Sequence, residues 1–275
     1  MTEWNPDIIP DERPLSLLGW VRAMLRLAGL ATVIYGLMLV LVLARLIELP
    51  FGKHPVSPLV VQLACKISLR ILGLEIKLVG TPMTQNGALV CNHCSWLDIL
   101  TLNSAAKVFF VSKSEVSKWP VIGLIARTTH TVFIERKSSQ ARVHKSQFER
   151  RLIQGDRLLF FPEGTSTDSR RVLPFKSTLF AAFFEQHLAE NMWIQPTSLI
   201  YRAPKGEDVR FYGWWGEMAF APHFLMTLAT PKSGGVEIVF HDPVRVADFK
   251  DRKALAHHCE TEVRAGLERA MNCAG

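Results

Sequence analysis

Cysteine is scarce and unpatterned: the five residues at positions 65, 91, 94, 259 and 273 do not have the spacing of a secreted disulfide framework. A cleavable leader is not apparent either, because Asp7, Asp11 and Glu12 crowd the region before the first apolar run and no small-residue cleavage site follows. Reduced thiols facing the cytoplasm are therefore expected. Internal repeats and low-complexity segments are missing, so the 275 residues read most simply as one domain with an N-terminal appendage. Hydrophobic residues make up 48%, too few for a polytopic membrane protein. Acids are outnumbered by bases, 25 against 32, and the formal net charge of +7 points to an anionic partner. A nucleic acid is not expected, because the basic residues are dispersed and no recognisable binding motif accompanies them.

One long apolar run is present. Leu27 to Ala44 is eighteen residues without a charge, just reaching the length of a membrane-embedded helix, and the apolar helix is drawn over residues 27–47. It either spans the bilayer or lies in one leaflet; the soluble alternative is a buried core helix, though such helices seldom stay apolar all round for this length. Basic residues flank the run on both sides, so the positive-inside rule gives no orientation. A second helix is expected over 58–72, where Gln62, Lys66 and Arg70 recur every four residues among apolar neighbours. That stripe suits a membrane interface or a helix packed on the protein core equally well. Residues 1–74 thus read as a membrane-attachment region and 75–275 as a catalytic domain.

From Ile76 the pattern changes to short strands alternating with helices. Strands are predicted at 76–79, 88–91, 108–111, 131–134, 158–161, 194–199 and 236–240. Helices are predicted near 97–103, 118–126, 140–154, 177–187 and 253–271. This alternation predicts an α/β fold with a mixed, largely parallel sheet flanked by helices, preceded by the N-terminal membrane-embedded helix. The stretch 201–235, with Tyr212, Trp214 and Trp215 close together, is the least regular and reads as an inserted helix or loop.

Three stretches carry chemistry. Val90-Cys91-Asn92-His93-Cys94-Ser95-Trp96-Leu97-Asp98 closes a buried strand with a histidine and sets an aspartate five residues later. Five residues of continuous helix would turn about 500°, so His93 belongs in a loop and Asp98 in the first turn of the next helix. Ser95 fits that helix's N-cap, with Asp98 placed to reach back. Asp98 could then accept the Nδ1 proton of His93 and leave Nε2 as a base, the orienting half of a Ser-His-Asp triad whose nucleophile is a hydroxyl on the substrate. Phe161-Pro162-Glu163-Gly164-Thr165-Ser166 closes a second buried strand with backbone N–H groups and hydroxyls suited to an anion or oxyanion. If the strands are parallel, this turn faces the His93 loop across a crevice. A third strand, Val132-Phe133-Ile134, delivers Arg136, able to hold a phosphate or carboxylate in a two-pronged grip. The competing reading of Cys91, His93 and Cys94, or of His257, His258 and Cys259, as metal ligands lacks the paired spacing of a zinc site, and no metal is expected.

Taken in order, these blocks resemble the glycerolipid acyltransferase family, whose best-known members are the bacterial 1-acylglycerol-3-phosphate acyltransferases. Asn92-His93 with Asp98 matches the first block, Phe133-Ile134 with Arg136 the second, Phe161 to Ser166 the third and Pro196 the fourth. Lys113, Trp119-Pro120, Gly123 and Pro174-Phe175-Lys176 also fit. The chain departs at His130, where the family's second block opens with glycine. The segment Tyr212 to Met218, followed by Pro222-His223, resembles the branch that acylates lyso-ornithine lipid.

The resemblance implies a membrane-bound O-acyltransferase at the inner membrane, its catalytic domain facing the cytoplasm. Acyl-CoA or acyl-carrier protein would be the co-substrate, with no other cofactor. The first-choice acceptor is 1-acylglycerol-3-phosphate, with lyso-ornithine lipid as the alternative; a membrane lipid-binding protein with a degenerate site is the non-enzymatic reading. By the same resemblance, His93 is the base and Asp98 its orienting partner. Arg136, Glu163, Gly164 and Thr165 serve the acceptor, and Lys113 polarises the thioester.

Overall fold

The computed structural model describes residues 14–48, 56–114, 131–134, 148–185 and 188–272, with 117, 123, 126 and 129 between them. Its centre is an eight-stranded mixed sheet. The strands are β1 (Glu75–Val79), β2 (Gly87–Cys91), β3 (Phe109–Lys113), β4 (Val132–Ile134), β5 (Leu158–Phe160), β6 (Trp193–Arg202), β7 (Gly235–Phe240) and β8 (Val244–Arg245). They lie in the order β1-β7-β6-β2-β5-β3-β4, with β8 also paired to β6. β6, β2, β5, β3 and β4 run parallel to one another, while β7 and β8 are antiparallel to β6. The central strand β2 is buried at every residue, as its uninterrupted run Gly87-Ala88-Leu89-Val90-Cys91 requires of a strand covered on both faces.

Helices cover the sheet on both sides. On one face α1 (Leu17–Glu48), α2 (Ser57–Leu72), α3 (Leu97–Ala105) and α4 (Phe220–Ala229) set Leu30, Leu69, Leu102 and Leu228 against Leu89, Leu159 and Leu199. On the other, α5 (Arg252–Asn272) and the 3₁₀ helix Ser177–Phe184 set Leu255, Val263, Phe180 and Phe183 against Val90, Phe160 and Ile200. Segment 177–187 was expected to be α-helical. Its described part winds as 3₁₀, whose threefold period turns Phe180 and Phe183 together into the core. Segment 118–126 and residues 140–147 lie largely or wholly outside the described residues.

α1 begins ten residues before the uncharged run, because Arg22 and Arg26 are absorbed by the fold. Both guanidinium groups donate to the exposed carbonyls at the end of α4: Arg22 to Ala229, and Arg26 to Leu228 and Thr230 at 3.0 and 2.8 Å. α2 turns back along α1, so that Ile71 packs on Gly29 at one end and Glu48 bonds Ser57 at the other. Only 17% of the most apolar window of α1 is buried, too little for the core helix of a soluble protein.

Pro196 occupies a strand interior, normally a poor place for proline. Its position is where the partner of β6 is interrupted between β7 and β8, so no ladder bond is lost there. Gln195 fills the gap, bonding Met83 N, Thr81 O and His241 O through its side chain.

Candidate active site

The loop after β2 leaves the sheet through a substitution of side chain for backbone. The register pairs Cys91 with Thr197. One step further the Asn92 amide takes the place of a strand, donating to Leu199 O at 2.9 Å and accepting from Leu199 N at 2.8 Å. The backbone is thereby free to turn away at His93 without leaving buried polar groups open on β6.

His93 is then fixed on every side. Its ring stacks on Phe161 at 4.1 Å between centroids and 10° between planes. Its backbone N–H donates to Glu163 Oε1 at 2.7 Å, and its carbonyl accepts Thr167 N–H at 2.9 Å. The His93 loop and the turn after β5 were expected to face each other across a crevice; instead they touch, because β2 and β5 are adjacent.

Nδ1 of His93 lies 2.7 Å from Asp98 Oδ2. The same oxygen accepts Cys94 N–H at 2.7 Å and Ser95 N–H at 3.1 Å, so the reach back from the first turn of α3 is made as the sequence implied. Ser95 was expected at the N-cap, but α3 begins at Leu97 with Trp96 in that place and no side-chain cap; the Ser95 hydroxyl takes Leu97 N–H at 3.4 Å from one residue further back. A carboxylate has only lone pairs to offer, so Nδ1 carries the hydrogen of this contact, and in the neutral ring Nε2 is the nitrogen with the free lone pair. Asp98 is fully buried, whereas the imidazole is 23% exposed, leaving the reactive end of the pair reachable.

Glu163 faces inward, 2% exposed, with Oε1 on His93 N–H and Oε2 on Leu173 N–H at 2.8 Å. Burial pushes its carboxyl up to about 8, against those two donors, which favour the charged form. Gly164 has a left-handed φ of 71°, and a Cβ there would run into the Lys176 side chain. Its N–H closes the turn onto Phe161 O at 3.1 Å. Thr165 follows, partly exposed.

β3 and β4 end at Lys113 and Ile134 on the edge where His93 sits. With strands about 4.8 Å apart, the end of β3 is about 10 Å from that of β2 and the end of β4 about 14 Å. The Lys113 side chain and all of Arg136 lie outside the described residues, as do His130 and Trp119-Pro120.

Two thiols flank the histidine. Cys91 and Cys94 are wholly buried, and burial pushes both far above the ordinary thiol range, so neither is poised as a thiolate nucleophile. Among the described residues no three His, Cys, Asp or Glu side chains group as metal ligands would.

Sequence reasoning passed over Tyr201, whose hydroxyl donates to Asp98 Oδ1 at 2.9 Å. The signal was alternation: Leu199 and Tyr201 share one face of β6, that of α3, but the strand was drawn to end at Leu199. It read the inserted segment as a likeness to one branch of the family and not as a support of the loop, yet the Trp214 backbone N–H donates to Cys94 O at 2.9 Å and His223 Nδ1 accepts from Trp96 Nε1 at 3.0 Å.

His93 and Asp98 form an oriented pair at the carboxyl end of β2, beside two buried thiols held above the ordinary thiol range, and the fold that carries them is that of an acyltransferase. A family model described as Acyltransferase matches residues 76–200. A lyso-ornithine lipid O-acyltransferase of Rhodobacter capsulatus is 47% identical over 266 residues, 96% of each chain. A 1-acyl-sn-glycerol-3-phosphate acyltransferase of Neisseria gonorrhoeae is 29% identical over 207 residues, 70% of this chain and 74% of that one. The crystal structure of the 1-acyl-sn-glycerophosphate (LPA) acyltransferase PlsC from Thermotoga maritima superposes with a TM-score of 0.66 over 92% of this chain and 96% of that chain; at 20% identity it shares the fold. The chain belongs to the glycerolipid acyltransferase family and is an acyltransferase enzyme.

Proposed function

We propose that the protein is a membrane-attached lyso-ornithine lipid O-acyltransferase, moving a fatty acyl group from an acyl thioester to the hydroxyl on the acceptor's fatty chain. The observation that carries the chemistry is the 2.7 Å contact of His93 Nδ1 with buried Asp98. Nε2 of His93 removes the proton from the acceptor hydroxyl as its oxygen attacks the thioester carbonyl. The tetrahedral oxyanion collapses, the carbon–sulfur bond breaks, and the imidazolium returns its proton to the leaving thiolate. Ester and thiol are the products, and the enzyme forms no covalent bond.

Choice of acceptor rests on likeness. The R. capsulatus relative matches along 96% of each chain, which takes in the inserted segment, whereas the N. gonorrhoeae relative matches less of the chain and less closely. The ornithine headgroup carries a carboxylate, which we assign to Arg136, with Gly164 and Thr165 shaping the acceptor side and Lys113 polarising the thioester oxygen. Glu163 acts from behind, holding the His93 peptide. The donor is acyl-CoA or acyl-carrier protein, both anionic, in keeping with the net charge of +7. We assign the site to the cytoplasmic face of the inner membrane, attached through α1 and α2, as the side on which acyl-CoA and acyl-carrier protein are available.

The test supplies purified protein in detergent with labelled acyl-CoA or acyl-carrier protein and a panel of lysolipids. Ornithine lipid as product is the expected result; phosphatidic acid from lysophosphatidic acid alone would reassign the acceptor. His93→Ala should fold and lose activity by about 10² to 10⁴. Full activity in that variant would overturn the mechanism.

A further inference from the structure

We propose that Tyr201 is a positioning residue for this reaction, holding the Asp98 carboxylate in the one orientation that presents Oδ2 to His93. The two oxygens of Asp98 are unequally served. Oδ2 takes His93 Nδ1–H, Cys94 N–H and Ser95 N–H, all from its own loop. Oδ1 takes the Tyr201 hydroxyl, which arrives from β6 across the helix–sheet interface. Without a donor on Oδ1 the carboxylate can turn about its Cβ–Cγ bond and exchange its oxygens, and the buried oxygen left over has no partner of comparable strength.

The direction of the hydrogen bonds follows from the donors available. Tyr201 gives its hydrogen to a carboxylate, so its oxygen must accept from Thr101 Oγ1, 3.2 Å away and one turn along α3 from Asp98. Thr101, Tyr201, Asp98 and His93 therefore form one relay of oriented bonds, running from α3 through β6 to the imidazole. Burial holds the Tyr201 phenol well above its ordinary range, so it stays a donor throughout the working pH of the enzyme. The groups facing the pair are Cys91 and Cys94 from β2 and its loop, Glu163 and, farther along, Asp168 from the β5 turn, and Tyr201 from β6. Tyr201 is the side-chain hydroxyl that donates to Asp98 Oδ1, and it draws charge away from the carboxylate that His93 must lean on.

The proposal rests on His93 being the base, and the experiment separates the two. Tyr201→Phe keeps the ring and deletes the donor. With acyl-CoA and lyso-ornithine lipid, kcat should fall about tenfold to a hundredfold, the loss expected for one hydrogen bond to a buried charge. KM for both substrates should stay within about twofold, since the residue touches neither. The acid limb of the kcat–pH profile should move to higher pH, because a carboxylate stripped of a donor holds the dyad's proton more tightly. Thr101→Val, one bond further out, should move the limb the same way by less, and it provides the reading should Tyr201→Phe fold poorly. A limb unmoved in both variants, or a fall in activity matched only by a rise in KM, would overturn the role of Tyr201. Activity surviving in His93→Ala run alongside would instead overturn the base assignment.

Discussion

At the scale of single residues, the His93–Asp98 pair is held by buried groups around it. Glu163 is the plainest case: its two oxygens join His93 N–H to Leu173 N–H, clipping the His93 loop to the irregular segment that follows the β5 turn. Its carboxyl is raised to about 8 by burial, so between about 4.3, the unfolded value, and about 8 the folded protein binds a proton that the unfolded chain releases. Over that window the group makes the fold less stable as pH rises. Thermal melts at pH 5, 6, 7 and 8 should therefore show the gap between wild type and Glu163→Gln narrowing with rising pH, whereas a gap independent of pH would refute the assignment. Legibility at this scale was uneven, for a physical reason. His93 and Asp98 are close in sequence, and local helix geometry fixed their relation. Tyr201 is 103 residues from Asp98 and Leu199 is 107 from Asn92, so their pairings depend on which strands become neighbours. Glu163 lay in a recognisable block, yet its inward direction follows from the adjacency of β2 and β5.

At the scale of elements, the strands with continuous apolar runs were legible because burial on both faces leaves little choice, and their ends came out within three residues. The helix α4 was not legible as such. Phe220-Ala221-Pro222-His223-Phe224 carries a proline near its start and aromatic residues on more than one side, which gives no single apolar stripe. What fixes α4 is tertiary: its C-terminal carbonyls take Arg22 and Arg26, and its His223 takes Trp96. Nδ1 of His223 accepts the indole hydrogen, so Nε2 carries the ring's own and donates to Phe211 O at 3.2 Å. Burial lowers this imidazole to about 4, and a proton on Nδ1 would remove the acceptor that Trp96 needs. The unfolded chain binds a proton here below about 6.5 that the folded protein refuses until about 4. The stability contributed by the Trp96–His223 bond is therefore complete above the unfolded value and lost as pH falls through that window. Melting temperatures of wild type and His223→Gln should converge between pH 7 and pH 5, and parallel curves would show that the bond does not titrate as described. The sign is opposite to that at Glu163, so each variant reports on its own group.

At the scale of the whole molecule, the question is how a long apolar helix can carry a catalytic layer along its side. α1 is 32 residues, about 48 Å, and α2 is 16, about 24 Å, and the two are antiparallel neighbours. A bilayer core is about 30 Å thick. If α1 crossed it, α2 would have to return through it with Lys66 and Arg70 exposed on its surface. The exposed residues are graded along the hairpin instead. Leu39, Leu43, Leu46 and Ile47 are exposed in the last part of α1 and Leu59 and Leu63 in the first part of α2, while Lys66 and Arg70 lie toward the catalytic layer. From Ser57 at the start of α2 to Lys66 is nine residues, about 14 Å, which is the depth of one leaflet. At the start of α2, buried Glu48 accepts Val56 N–H, Ser57 N–H and the Ser57 hydroxyl, covering donors that the first turn would otherwise leave bare. A pair of helices entering one leaflet would keep Lys66 and Arg70 at its surface while carrying Arg45 and Lys53 inward, whereas a spanning α1 would carry Lys66 and Arg70 through the bilayer; cysteine labelling decides between the two. In sealed vesicles made with a Cys273→Ser background, Arg70→Cys should react with an impermeant maleimide from the side that bears the catalytic layer. Leu59→Cys should react from neither side until detergent is added. Labelling of Leu59→Cys from the opposite face would make α1 a spanning helix and place the start of α2 across the membrane.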